Sequence, residues 1–300
     1  MKKFLFSIGL LLALFIGGCQ SSNGSQTQPT TQSSETEHTT KPNNETKASQ
    51  RSKPAVEKSA TPTLLIHGYQ GTMNSFKSMI NDMQEKDIAQ REMIITVHPD
   101  GSIDTQGELS GKKTNPLIQV IFEDNMSDEW NQTEWLKNTL SFLQEDYKVN
   151  KVNLVGHSMG GVSSYRYMGN YSQEESLPQV ENFVAIGAPF NDFIDSSDYQ
   201  SIDDLLKDGP EDPSERYQDF TELTPQITNE TQVLLIAGQL NKERFDDGTV
   251  PLTSALSIYP LLKDNDFDVD YSIVQGERSS HSMLHENKKV NELIEQRLWK

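Results

Sequence analysis

The stretch Gly156-His157-Ser158-Met159-Gly160, with a further glycine at 161, constrains this chain more than any other. It follows the apolar run Val152-Asn153-Leu154-Val155 and precedes a helical pattern that begins at Gly161. A strand, a Gly-x-Ser-x-Gly turn and a helix in that order force the serine onto a sharp bend, with φ above zero. The flanking glycines carry no Cβ to strike the adjoining strand and helix. The expectation is a strained Ser158 whose hydroxyl projects from the carboxyl edge of a sheet. A glycine-rich turn with an incidental serine is the bland alternative, so the rest of the chain has to supply partners for that hydroxyl.

Short apolar runs recur on both sides of the turn. Thr63–Ile66, Met93–Val97, Leu117–Phe122, Phe183–Ile186, Val233–Ile236 and Tyr271–Val274 read as strands. Asp100-Gly101 offers a turn with a polar return strand through Ile103. Helices are expected over Met73–Glu85, Glu129–Tyr147 and Val290–Leu298. Trp130, Trp135, Leu136, Leu140 and Leu143 form the core face of the long one. Alternating strands and helices with apolar strands predict an α/β fold, a mostly parallel sheet covered on both faces.

The amino terminus reads differently. Lys2 and Lys3 precede an apolar stretch, Phe4–Ile16, that is short for a membrane span. It ends in Gly17-Gly18-Cys19, small residues before a cysteine, so Cys19 resembles the lipidated first residue of a bacterial lipoprotein and 1–18 its signal peptide. An ordinary signal peptide or an uncleaved anchor is the other reading. Cys19 is the only cysteine, which excludes an intramolecular disulfide and a cysteine nucleophile. Residues 19–60 are Ser, Thr, Gln, Asn, Glu and Lys with almost no large apolar side chain, too little to offset the entropy of ordering. They are expected as a disordered tether, leaving 61–300 as one domain in an extracytoplasmic, membrane-anchored protein.

The chain has 26 basic and 44 acidic side chains, net −18; the first 60 residues hold 7 and 4 of them, so the remainder carries −21. Such a domain repels nucleic acid and other polyanions. No Gly-rich loop with a lysine suggests a phosphate cofactor, and none is expected.

The chemistry follows from what a serine nucleophile needs: a base, a carboxylate that orients the base, and amide donors for an oxyanion. Of six histidines, His281 and His285 lie in the loop between the last strand and last helix. His281 is assigned as the base because it lies nearer the end of the strand; His285 stays open as the alternative. A metal on this pair lacks an evident third ligand, and none is expected. The acid is expected after the strand ending at Ala237-Gly238, where Asp247 precedes Gly248 and is preferred to Asp246. Either aspartate could instead cap a turn. The Met159 amide is the first oxyanion donor, and the Tyr69 amide, in His67-Gly68-Tyr69-Gln70-Gly71, is the second.

These residues carry a family resemblance. Leu65-Ile66-His67-Gly68-Tyr69, Gly156–Gly161, Ala188-Pro189-Phe190-Asn191, Asp247-Gly248-Thr249-Val250-Pro251 and His281–Asn287 resemble the α/β-hydrolase superfamily. They are similar in particular to Gram-positive cell-surface hydrolases of a family of unknown function. The resemblance implies an α/β-hydrolase fold and an esterase-like triad in the order Ser158, Asp247, His281. Asn191–Glu230, acidic and loop-like, is expected as a small cap, or else a plain surface insertion, with Phe190 and Tyr69 lining an acyl pocket. Its few apolar residues, Ile194, Leu205, Leu206 and Tyr217, favour small or short-chain acyl esters. Imidazole ordinarily titrates near pH ~6.5, so activity should fall in mild acid. An amidase or peptidase on cell-envelope material, or a catalytically silent binding lipoprotein, remain the alternatives. No feature identifies a protein partner.

Overall fold

The computed structural model describes residues 55–300. The expected signal peptide, Cys19 and nearly all of the tether lie outside them. Chain order runs β1 (Thr63–Ile66), α1 (Lys77–Glu85), β2 (Gln90–Val97), β3 (Ile103–Gly107), β4 (Pro116–Phe122), α2 (Glu129–Tyr147), β5 (Lys151–His157), α3 (Met159–Tyr171) and β6 (Gln179–Ile186). It continues through β7 (Phe190–Phe193), α4 (Ile202–Asp208), α5 (Glu215–Leu223), β8 (Gln232–Gln239), α6 (Leu252–Ala255), α7 (Tyr259–Asp264), β9 (Val269–Gln275), α8 (His281–Leu284) and α9 (Lys288–Trp299).

Eight strands form one sheet in the order β3-β2-β4-β1-β5-β6-β8-β9. Only the β2–β3 hairpin is antiparallel; every other pairing is parallel. The central strands are mostly apolar and buried over most of their length because helices cover both faces. Their side chains alternate between two cores. Leu64, Ile66, Leu154, Phe183 and Leu235 face one core, with Leu136 and Leu140 of α2 and Val162 and Tyr165 of α3. Leu65, Val155, Val184, Ile186 and Ile236 face the other, with Met79, Ile80 and Met83 of α1 and Val290 and Ile294 of α9. Each such side chain contributes roughly 1.5–3 kcal/mol by leaving water. The edge strand β3 is polar and exposed beyond Ile103, which discourages pairing with another chain.

Local signals set the helix ends. The Asp128 carboxylate accepts the Asn131 amide at 2.8 Å and caps α2. The Asn287 side chain caps α9 through the Lys289 amide. The first helix starts later than its sequence pattern, at Lys77 rather than Met73, because Phe76 is held at φ 63° with its ring in the core.

The insertion between β6 and β8 carries β7, α4 and α5. It turns several of its apolar side chains inward and leaves Phe193 and Tyr199 exposed. Phe220 is buried against Tyr165 and Phe190, while Leu205 and Tyr217 are also buried. Arg216 of α5 pairs with the buried Glu129 of α2, which also holds Arg166 of α3 at 2.6 Å. The insertion is thereby fastened to α2 and α3.

Candidate active site

Five loops at the carboxyl ends of β1, β5, β6, β8 and β9 carry the candidate residues, and those strands are consecutive in the sheet. Ser158 follows β5 with φ 56° and ψ −127°, outside the regions that a side chain tolerates without strain. Two surrounding contacts hold it there: its amide donates to the Ile186 carbonyl at 2.9 Å, and its own carbonyl accepts the Gly161 amide at 2.9 Å.

The Ser158 hydroxyl lies 2.9 Å from His281 Nε2, and His281 Nδ1 lies 2.7 Å from Asp247 Oδ2. A carboxylate only accepts, so the Nδ1 proton belongs to that bond and Nε2 is left bare to accept the serine proton. Asp247 is 1 % exposed, and its other oxygen accepts the amides of Thr249 at 2.9 Å and Val250 at 2.7 Å. The carboxylate is thus fully hydrogen-bonded without bulk water, as a buried charge requires. The His281 amide also donates to the Asp247 carbonyl at 2.8 Å, which ties the two loops through the main chain. Gly187, after β6, lies against the pair with φ +55°; a Cβ there would fall 3.0 Å from Asp247 Oδ2.

The rival residues sit elsewhere. Asp246 pairs with Arg244 at 2.8 Å and accepts the Gly248 amide at 2.6 Å, so it braces the turn that aims Asp247. His285 Nδ1 meets Glu286 at 3.1 Å, and its ring packs on Phe76 and His157. Burial holds its pKa below the usual imidazole value.

The first-strand loop touches the elbow: a Cβ placed on Gly68 would fall 2.7 Å from the Ser158 Cβ and 3.1 Å from the Met159 nitrogen. The Tyr69 and Met159 amides donate to no protein acceptor among the described residues. His67 braces this loop. Its Nε2 accepts the Phe122 amide at 3.1 Å and its Nδ1–H donates to the Gly68 carbonyl at 2.8 Å. Burial lowers its pKa, so the neutral tautomer those two bonds need is the one favoured. In the sequence His67 is legible only as part of a glycine motif; a polar residue closing a buried strand is the signal that it needs partners. Tyr69 itself is 52 % exposed, whereas Phe190 is wholly buried between Tyr165 and Phe220. Phe190 therefore belongs to the core, and the expectation that it lines an acyl pocket does not hold.

A family model described as "Alpha/beta hydrolase of unknown function (DUF915)" matches residues 49–300. The chain belongs to that family. No curated protein matches this α/β hydrolase in sequence. Among solved structures it resembles the product of gene lin2722 of Listeria innocua, with 28% identity and a TM-score of 0.72 over 78% of this chain and 92% of that one. It also shares its fold with a protein of Lactobacillus plantarum WCFS1 described, provisionally, as a cell surface hydrolase. That match has 20% identity and a TM-score of 0.63 over 79% of this chain and 89% of the other. Among the described residues of the hydrolase, no group of three or more His, Cys, Asp or Glu side chains could hold a metal ion. No helix there is long and apolar enough to cross a membrane.

Proposed function

We propose that this hydrolase cleaves acyl esters through an acyl-Ser158 intermediate. The observation that carries the reading is the continuous hydrogen-bonded line from a buried Asp247 through His281 to a serine at φ 56°. Ser158 Oγ attacks the acyl carbonyl carbon while His281 Nε2 takes its proton. Asp247 holds the imidazole in the required tautomer and stabilises the imidazolium. The Tyr69 and Met159 amides receive the oxyanion. His281 then passes the proton to the departing alkoxide, and the acyl group stays on Ser158. Water attacks that ester in the second half-reaction. Its proton goes to His281 and from there to Ser158 as the acid leaves.

Small or short-chain acyl groups fit best. A lid for long chains presents a broad apolar face outward, whereas the insertion buries Leu205, Tyr217 and Phe220 and exposes only Phe193 and Tyr199 among its large apolar side chains. No cofactor enters this chemistry. The protein works outside the cytoplasm in this reading, anchored through a lipid on Cys19. The decisive experiment compares wild type with Ser158→Ala on p-nitrophenyl esters from acetate to palmitate. Hydrolysis by wild type alone, highest at short chains, is expected. Equal rates for both proteins would remove Ser158 from the mechanism. A maximum at palmitate would overturn the substrate class.

A further inference from the structure

His157, the residue inside the elbow that precedes the nucleophile, takes no part in the chemistry above. Its side chain is nonetheless buried among the catalytic groups. Nε2 lies 2.9 Å from the carbonyl oxygen of His281. The ring packs on the His281 imidazole at 4.7 Å between centroids and meets the His285 ring edge-on at 4.6 Å.

A carbonyl oxygen only accepts, so His157 must hold its proton on Nε2. Three imidazoles act on it, His281 and His285 from the loop after β9 and His67 from the loop after β1. Burial and those neighbours push its pKa well below the usual imidazole value. It is therefore a neutral, fixed donor.

The His281 main chain is consequently pinned from two sides. Its N–H is held by the Asp247 carbonyl and its C=O by His157 Nε2–H. The first tie comes from the acid loop and the second from the elbow. Because His157 and Ser158 are consecutive, the turn that aims the nucleophile also places the backbone of its base.

We propose that His157 is a positioning residue that sets the distance between Ser158 and His281 by hydrogen-bonding the His281 carbonyl. This rests on the reading of Ser158 and His281 as nucleophile and base. A space-filling core histidine would be replaceable by any ring of similar size, and a donor would not.

The test uses His157→Phe, which keeps a ring and removes the donor, and His157→Gln, which restores an N–H at similar reach. On p-nitrophenyl acetate, kcat should fall about 10- to 100-fold in His157→Phe with KM little changed, since a small misplacement of a catalytic group costs about that much. His157→Gln should recover most of the loss. Wild-type kcat in His157→Phe, or equal losses in both variants, would overturn the proposal. A second readout needs no turnover. The downfield Nδ1 proton of the His281–Asp247 bond, seen by proton NMR, should broaden or vanish in His157→Phe and persist in His157→Gln. If wild type proves inactive on esters, that spectrum still decides the role of His157; an unchanged resonance in His157→Phe would reject it. Should His157→Phe fail to fold, His157→Gln alone must retain both signals, and loss of either in a folded His157→Gln counts against the idea.

Discussion

Two histidines at the same edge of the sheet contact carboxylates at nearly the same distance, and only one of them turns its other ring nitrogen to a serine hydroxyl. His281 meets Asp247 at 2.7 Å. His98, just after β2, meets Glu123 at 2.9 Å and Asp104 at 3.0 Å. The surroundings differ. Asp247 is almost wholly buried and aimed by two backbone amides, whereas the side chains of Glu123 and Asp104 are 55 % and 80 % exposed. His98 has both ring nitrogens engaged by carboxylates, which favours the imidazolium and raises its pKa, chiefly through the Glu123 hydrogen bond. An imidazole saturated in that way has no lone pair to offer a nucleophile. His281 spends one nitrogen on its carboxylate and turns the other to a strained serine. A histidine–carboxylate contact by itself therefore says little; burial of the acid and a free second nitrogen make the difference.

The largest expected effect breaks the His281 line at its end. Ser158→Ala should lower kcat about a millionfold while leaving the fold intact, because the side chain contributes its hydroxyl and little packing. Steady-state kinetics together with labelling by a serine-reactive phosphonate check it. A variant that retains even a hundredth of wild-type turnover would leave Ser158 without its proposed role.

Next comes the acid. Asp247→Asn should cost about ten-thousandfold in kcat, since an amide that keeps its hydrogen bond to the ring reverses the tautomer. Asp246→Asn should cost no more than about tenfold, because that residue only braces the turn through Gly248 and Arg244. If Asp246→Asn turns out to be the more damaging of the two, the kinetic acid is not the residue that geometry places beside His281.

The sequence and the structure part company at particular residues. The elbow was legible because strain at one serine demands glycines on either side and a strand and helix around them. The central strands were legible because burial on both faces makes them mostly apolar, whereas the edge strand β3 was marked only by its turn. Between His281 and His285 no local rule chooses. They share one loop, and what separates them is a long-range tie, the His281 amide on the Asp247 carbonyl. The short elements α6 and α8 and the strand β7 have the same origin, forming where tertiary hydrogen bonds such as the Asn191 amide on Ser254 Oγ hold them. Phe190 was misplaced for a related reason. Its position after β6 says nothing of the aromatic neighbours, Tyr165 and Phe220, that draw it into the core. His157 was passed over as the variable residue of a motif, although an imidazole closing a buried strand is a polar group that needs a partner.

Stability depends on pH through the same contrast between buried and exposed histidines. His67, His157 and His285 are held below the ordinary imidazole pKa chiefly by burial, so the folded protein resists protonating them. In the unfolded chain they take up protons as pH falls through about 6.5. The unfolded state then binds more protons than the folded one, and stability must decline as pH drops from about 6.5 towards the depressed values. His98 works in the opposite direction. Its raised pKa gives a contribution present below about 6.5 and lost as pH rises through the raised value, but its exposure keeps that contribution small. The buried imidazoles should dominate, so Tm should fall between pH 7 and pH 5. His285→Phe, which keeps a ring against Phe76 and cannot titrate, should make the fall shallower. Melting curves across that range that are flat for wild type would show that these rings do protonate in the folded state.

The smallest effect tests the exposed pair. His98→Gln removes the imidazole that joins the β2–β3 hairpin to the end of β4. Solvent and salt already screen such contacts, and a glutamine can still donate to one carboxylate. Turnover should therefore stay within about twofold of wild type. Any change in Tm should be small and should shrink further as ionic strength rises, because what is lost is an exposed charge contact. A tenfold drop in kcat would mean that the hairpin reaches the reacting groups. The contrast drawn between a buried and an exposed histidine–carboxylate pair would then describe two parts of one site.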